Sequence, residues 1–154
     1  MMNNILSTYT YGLYTLMCGD NICIIDTACQ VSSVKEKPMY MSVSINKGSD
    51  TAKLIKEGED FAIGVLAYST PKEIVEQFGF GHSSEKNKHY GLNYTMVDGI
   101  RIPYEYLLNY VVCHPVNIID CNTHYLIIGE VIDYKELNND EPLTYLDYKE
   151  MNYT

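Results

Sequence analysis

Two short stretches hold the residue types that could bind a phosphate and a flat polar heterocycle. The first is Thr27-Ala28-Cys29-Gln30-Val31-Ser32-Ser33, at the end of an apolar run. The second is Asn46-Lys47-Gly48-Ser49-Asp50-Thr51, where a strand-like run hands over to a helix. Both combine small hydroxyl and amide side chains with free backbone N–H groups, the donors that such a ligand needs at close range. The bland reading of the first stretch is a polar strand end and turn. For Ser49 and Thr51 it is helix capping, which is compatible with ligand binding because the same N–H groups serve both. Asp50 weighs against a phosphate there unless its carboxylate turns away. On residue type alone Lys88, in a polar loop, reads as a solvated point charge, and His124, opening a strand, as a histidine with a local hydrogen bond, though its side chain is able to change charge near neutral pH.

The elements that position these residues follow from patterning. Tyr9 to Met17 is rich in β-branched and aromatic residues, Gly19-Asp20-Asn21 is a turn, and Ile22 to Ala28 is a second strand. Met39 to Ile45 alternates strictly, with Met39, Met41, Val43 and Ile45 on one face. A helix of about two turns, capped by Ser49 or Asp50, ends at Gly58. Phe61 to Ala67 is the next strand. Thr70-Pro71-Lys72-Glu73 reads as a capping box opening a helix to Gly79. Residues 81–93 form a polar, irregular stretch; Tyr104 to Cys113 and His124 to Tyr134 complete the strands. Six or so strands without β-α alternation indicate a mainly β, antiparallel barrel, one domain over residues 1–154. The lack of G-x-G-x-x-G argues against a Rossmann site.

Composition narrows the function classes. A net charge of −9 with a single arginine, Arg101, argues against nucleic acid. No apolar run reaches the ~20 residues of a membrane helix, and the N-terminus lacks a signal-peptide pattern, so a cytoplasmic protein is expected. Five cysteines without a C-x-x-C fit reduced, buried thiols, and no metal site is expected.

The order Tyr11-Gly12-Leu13-Tyr14, Thr27 to Ser33, Ile45-Asn46-Lys47 with Thr51, Phe61 to Leu66, Phe78-Gly79-Phe80 with Lys88, Thr123-His124 leading to Gly129, and Glu141-Pro142-Leu143-Thr144-Tyr145 resembles the flavin-reductase-like, FMN-binding split-barrel family. Flavoredoxins and the flavin-reductase module of high-molecular-weight rubredoxins are the members it is most similar to. The resemblance implies a six-stranded antiparallel Greek-key barrel, a homodimer, and one FMN per subunit. It implies that Thr27, Ala28, Cys29, Gln30, Val31, Ser32 and Ser33 run along the isoalloxazine and ribityl chain. Asn46 and Lys47 would belong to the same site, Ser49 and Thr51 would meet the phosphate with Lys88 nearby, and His124 would stand beside the flavin where substrate stacks. The chain departs from relatives at Gly81-His82-Ser83-Ser84, which lacks two arginines, and at Asp26, where relatives usually carry asparagine. The implied activity is NAD(P)H-dependent flavin reduction, with NADH favoured over NADPH and electrons passed to flavin, ferric iron or a separate redox protein such as rubredoxin. The alternative is a flavoredoxin-like electron carrier with bound FMN and little NAD(P)H turnover.

Overall fold

Strands β2 (Asn21–Ile25) and β3 (Ala28–Gln30) are separated in the chain only by Asp26 and Thr27, yet they form opposite edges of one sheet. The sheet order is β2, β1 (Tyr14–Cys18), β5 (Phe61–Leu66), β8 (Leu107–Cys121), β9 (His124–Glu136), β4 (Tyr40–Asn46), β3, and every pairing is antiparallel. The three steps from Ile25 to Ala28 span at most about 11 Å of extended chain. Two edges of a seven-stranded sheet can lie that close only if the sheet curls on itself. The mainly β, antiparallel barrel architecture is thus present. The strand count differs from six because the run expected as one strand, Ile22 to Ala28, breaks at Asp26 and pairs with β1 before the break and with β4 after it. The computed structural model describes residues 5–6, 8–9 and 11–151. Thr10, inside the expected first strand, lies outside the described residues, as do 1–4, 7 and 152–154 of the expected domain.

Strand β1 shows why the interior divides in two. Its side chains alternate between faces, and Leu16 joins a core with Ile45, Ile55, Phe61 and Ile127, whereas Met17 joins one with Ile22, Phe78, Ile102 and Leu107. Gly129 on β9 sits where the first of these cores is tightest. A Cβ there would lie 2.7 Å from both Cys113 Cβ and the Phe61 ring.

The β8–β9 hairpin runs well past the expected boundaries. Tyr104–Tyr106 is a 3-10 turn, and β8 continues through Pro115 to Cys121. Pro115 is accommodated because the ladder shifts register between Pro115 and Asn117, so its missing N–H interrupts the ladder at an irregularity. A short hairpin, β6 (Thr95–Val97) with β7 (Ile100–Ile102), was not expected; Asp98 at its turn has φ 52° and Gly99 has φ 73°.

Helix α1 (Asp50–Lys56) is capped by Ser49, whose Oγ accepts the Thr51 N–H at 3.2 Å, and Gly58 follows with φ 100°. Helix α2 (Lys72–Gly79) corrects the expected capping box. Pro71 is the extended residue before the first turn and makes no side-chain cap, and the Thr70 hydroxyl donates instead to Tyr106 O at 3.4 Å. A capping box does occur at α3 (Tyr145–Met151): Asp147 Oδ2 accepts the Thr144 N–H at 2.9 Å, and the Asp147 N–H reaches Thr144 Oγ1 at 3.2 Å. All five cysteines are free, and burial pushes the Cys18 and Cys113 thiols up to about 12. Among the described residues no helix is long and apolar enough to cross a membrane.

Candidate functional site

A cleft of about 480 Å³ opens where the curled sheet brings β2 opposite β4 and the start of α1. Its size lies within the range of small-molecule sites, roughly 300–1,000 Å³. One end is built by Cys23, Ser49, Thr51, Ser83 and Lys88, and Asp26, Ser44, Asn46, His124 and Tyr145 complete the lining. The turn Asn46–Ser49 is pinned locally: Asn46 Oδ1 accepts the Gly48 N–H at 2.8 Å, and Asn46 O accepts the Ser49 N–H at 3.1 Å. The helix start is thereby fixed against the sheet.

Two groups at the first end have fewer partners than their burial calls for. Lys88 is only 4% exposed, and its ammonium donates to the neutral carbonyl of Ile22 at 3.0 Å. Burial holds its pKa below the usual lysine value of 10.5, with Cys23 and Asp50 pulling it partly back. Thr51 is 1% exposed, and among the described residues its buried hydroxyl has no hydrogen-bond partner of acceptable geometry. It faces the Cys23 thiol, whose pKa burial raises, while the Ser49 and Thr51 hydroxyls and the Lys88 charge oppose that rise. A buried cation beside an unsatisfied hydroxyl and a capping serine is a set of donors that awaits an anion.

The loop that follows α2 closes this end. Ser83 is bonded to both backbone groups of Ile22, accepting its N–H at 3.3 Å and donating to its carbonyl at 3.2 Å. Asp50 Oδ2 accepts the Ser84 N–H at 3.0 Å and the Ser84 hydroxyl at 2.8 Å. Along the rest of the lining, Thr123 Oγ1 lies 2.9 Å from His124 Nδ1, and the Thr27 hydroxyl donates to Asp26 Oδ1 at 3.0 Å. Tyr145 meets Tyr11 edge to face, with ring centroids 6.2 Å apart.

The Flavin reductase like domain model matches residues 7–153. The chain belongs to the flavin reductase like family. It is 36% identical over 152 residues to the high molecular weight rubredoxin of Moorella thermoacetica, covering 95% of this chain and 65% of that protein. It is 35% identical to the ferric-chelate reductase (NAD(P)H) of Archaeoglobus fulgidus, covering 90% of this chain and 83% of that one. A Streptomyces globisporus NADH:FAD oxidoreductase shares the fold with a TM-score of 0.80 at 14% identity, over 92% of this chain and 84% of that one. The chain thus spans a little under two thirds of the Moorella relative.

Among the sequence-predicted residues of this flavin reductase like domain, the cleft gathers Asn46, Ser49, Thr51, Lys88 and His124. It does not gather Thr27 to Ser33. Thr27 and Ala28 lie along β4, with Thr27 O accepting the Ser44 N–H at 3.2 Å. Cys29 Sγ lies 3.1 Å from Ser42 Oγ, and Gln30 donates to Ser32 O at 2.6 Å. Ser32 and Ser33 accept the backbone N–H groups of Tyr40 and Lys35, and the Val31 N–H donates to Tyr40 O. Gln30 and Ser32 line a second, more apolar cleft. Lys47 turns outward to Asp120, at 2.7 Å. Lys88, expected in a polar loop, is buried, because Gln77 Nε2 holds its carbonyl at 3.0 Å and draws the loop against α2. Cys23, Asp50 and Ser83 were missed as wall residues. The hydrogen bonds that bring Asp50 and Ser83 to the wall reach partners 34 and 61 positions away in the chain, and no local motif marks such pairings.

Proposed function

We propose that this domain holds FMN in the cleft between β2, β4 and α1 and acts as an NAD(P)H-dependent flavin reductase. The observation that carries the reading is the buried Lys88 ammonium, paired among the described residues with a neutral carbonyl, beside a buried Thr51 hydroxyl that faces a thiol and has no hydrogen bond of full geometry there. These fit a phosphate monoester, which brings the negative charge and acceptor oxygens that both groups lack. Lys88, Thr51 and Ser49 would hold that phosphate. Asn46 and Asp26 border the polar ring system, and His124 and Tyr145 flank the open end where a second planar ring enters. When bound, the flavin supplies the hydride-accepting chemistry, and the protein's part is binding, orientation and exclusion of water. His124 is then a positioning residue able to manage a proton near neutral pH.

NADH is the favoured reductant. A 2′-phosphate calls for a guanidinium or similar clamp. The one arginine, Arg101, is engaged elsewhere, 3.3 Å from Asp20 and over the Tyr94 ring. Electron acceptors are flavin, ferric iron or a redox protein, a reading supported by the names of the Moorella and Archaeoglobus relatives. A homodimer is supported by the second cleft, about 520 Å³, and by apolar side chains exposed on and beside it, Val34, Ile132 and Tyr134.

The test is a visible spectrum of the purified protein supplied with FMN, before and after anaerobic NADH. Bound yellow flavin that bleaches rapidly is the expected result. Bound flavin that only a protein donor reduces would instead make the domain a flavoredoxin-like carrier. A protein that retains no FMN sinks both.

A further inference from the structure

We infer that Asp50 makes this site selective for a flavin mononucleotide over a dinucleotide, an inference that rests on the flavin assignment of the cleft. Asp50 is the first residue of α1, and its carboxylate turns away from the helix toward the loop after α2. Its Oδ2 accepts both the Ser84 N–H at 3.0 Å and the Ser84 hydroxyl at 2.8 Å. His82 Nδ1 lies 3.8 Å from the same oxygen, and Lys53 Nζ lies 3.6 Å from Oδ1. The neighbouring Ser83 is fastened to both backbone groups of Ile22 on β2. Residues 81–84 are therefore stitched at adjacent positions to α1 and to β2, the two walls of the cleft at the Lys88–Thr51 end.

This arrangement treats the two flavins differently. A phosphate monoester ends at Lys88 and Thr51 and needs no further space. A diphosphate linkage must continue past them, into the segment that Asp50 and Ser83 hold across that end. Its second anionic phosphate would also come up against the Asp50 carboxylate, which stays ionised because the Ser84 bonds hold its pKa below the ordinary carboxylate value. Steric closure and like charge act in the same direction, and discrimination of this kind comes from opposing the wrong ligand rather than from improving the right one.

The test is calorimetric titration of the FMN-free protein with FMN and with FAD, for the wild type, Asp50→Ala and Ser84→Ala. Wild type is expected to bind FMN at least about 100-fold more tightly than FAD. Asp50→Ala should narrow that ratio by about tenfold or more, the scale set by losing charge-assisted hydrogen bonds, with the change arising from tighter FAD binding. Ser84→Ala removes one of the two Ser84 bonds and should move the ratio the same way by less; it also decides the matter if Asp50→Ala fails to fold. Equal wild-type affinities for FMN and FAD overturn this inference alone, as does an unchanged ratio in the folded variants. Failure of wild type to bind either flavin overturns it together with the flavin assignment.

Discussion

Replacing Lys88 with methionine separates a ligand-binding lysine from a structural one. Among the described residues the ammonium of Lys88 makes one hydrogen bond, to Ile22 O. That carbonyl also accepts from the Ser83 hydroxyl at 3.2 Å, so Lys88→Met leaves no orphaned acceptor. Methionine keeps most of the apolar stem and removes a buried charge that has no carboxylate partner. The ligand-free protein should therefore melt at an unchanged or higher temperature. The FMN phosphate, by contrast, loses a charge-assisted bond of about 1.5–3 kcal/mol, which is a loss of about 10- to 100-fold in affinity. Riboflavin has no phosphate and should be affected far less. The linkage sign agrees: the folded-state pKa of Lys88 lies below its unfolded value of 10.5, so in the interval between them the unfolded chain binds more protons and stability rises with pH. Lys88→Met should abolish that rise. Fluorescence titrations with FMN and riboflavin, paired with thermal melts from pH 7 to 10.5, provide the readout. Equal losses for both flavins, or a large drop in melting temperature, would refute the reasoning.

Two further outcomes concern the scaffold. His89 is buried, its Nε2 lies 3.1 Å from Asp20 O, and its Nδ1 is unpartnered. Burial, first of all, holds its pKa below 6.5, with the Asp20 carbonyl opposing and Arg101 reinforcing. The unfolded chain then takes up the proton first, so stability should fall as pH drops through and below 6.5, and urea midpoints at pH 5 and pH 7 should converge in His89→Gln. Gly129→Ala should destabilise by about 1–3 kcal/mol, because overpacking a filled core forces its neighbours to move; here the blocking atoms are Cys113 Cβ and the Phe61 ring, both at 2.7 Å. Denaturant melts check it, and an unchanged midpoint would show that the sheet yields there at no cost.

What the sequence disclosed was the local part of this architecture. The alternation over Met39 to Ile45 places β4 within a residue of its observed start and end, and Ser49 caps α1 as its side-chain chemistry requires. Pro115 hid the second half of β8, because a proline is a poor strand residue unless one side is unpaired or the ladder is irregular, and here β8 beyond Cys113 pairs with β9 alone and shifts register after Pro115. The run from Ile22 to Ala28 looks continuous in hydrophobicity, but the two sides of Asp26 pair with different strands. The cleft was half legible for the same reason. Ser49 and Thr51 share one turn with Asn46 and can be read as a unit, whereas Cys23, Ser83 and Asp50 join the wall only through contacts distant in the chain. Lys88 reads in the sequence as a loop cation, and nothing local announces that Gln77 and Ile22 will bury it.

The break at Asp26 has a dynamic corollary. The seam beside it is bridged by two residues of chain, Asp26 and Thr27, and the cleft opens along it. A molecule lodged there would behave as a rivet between β2 at one edge of the sheet and β4 near the other. Its escape would then require those two walls to part.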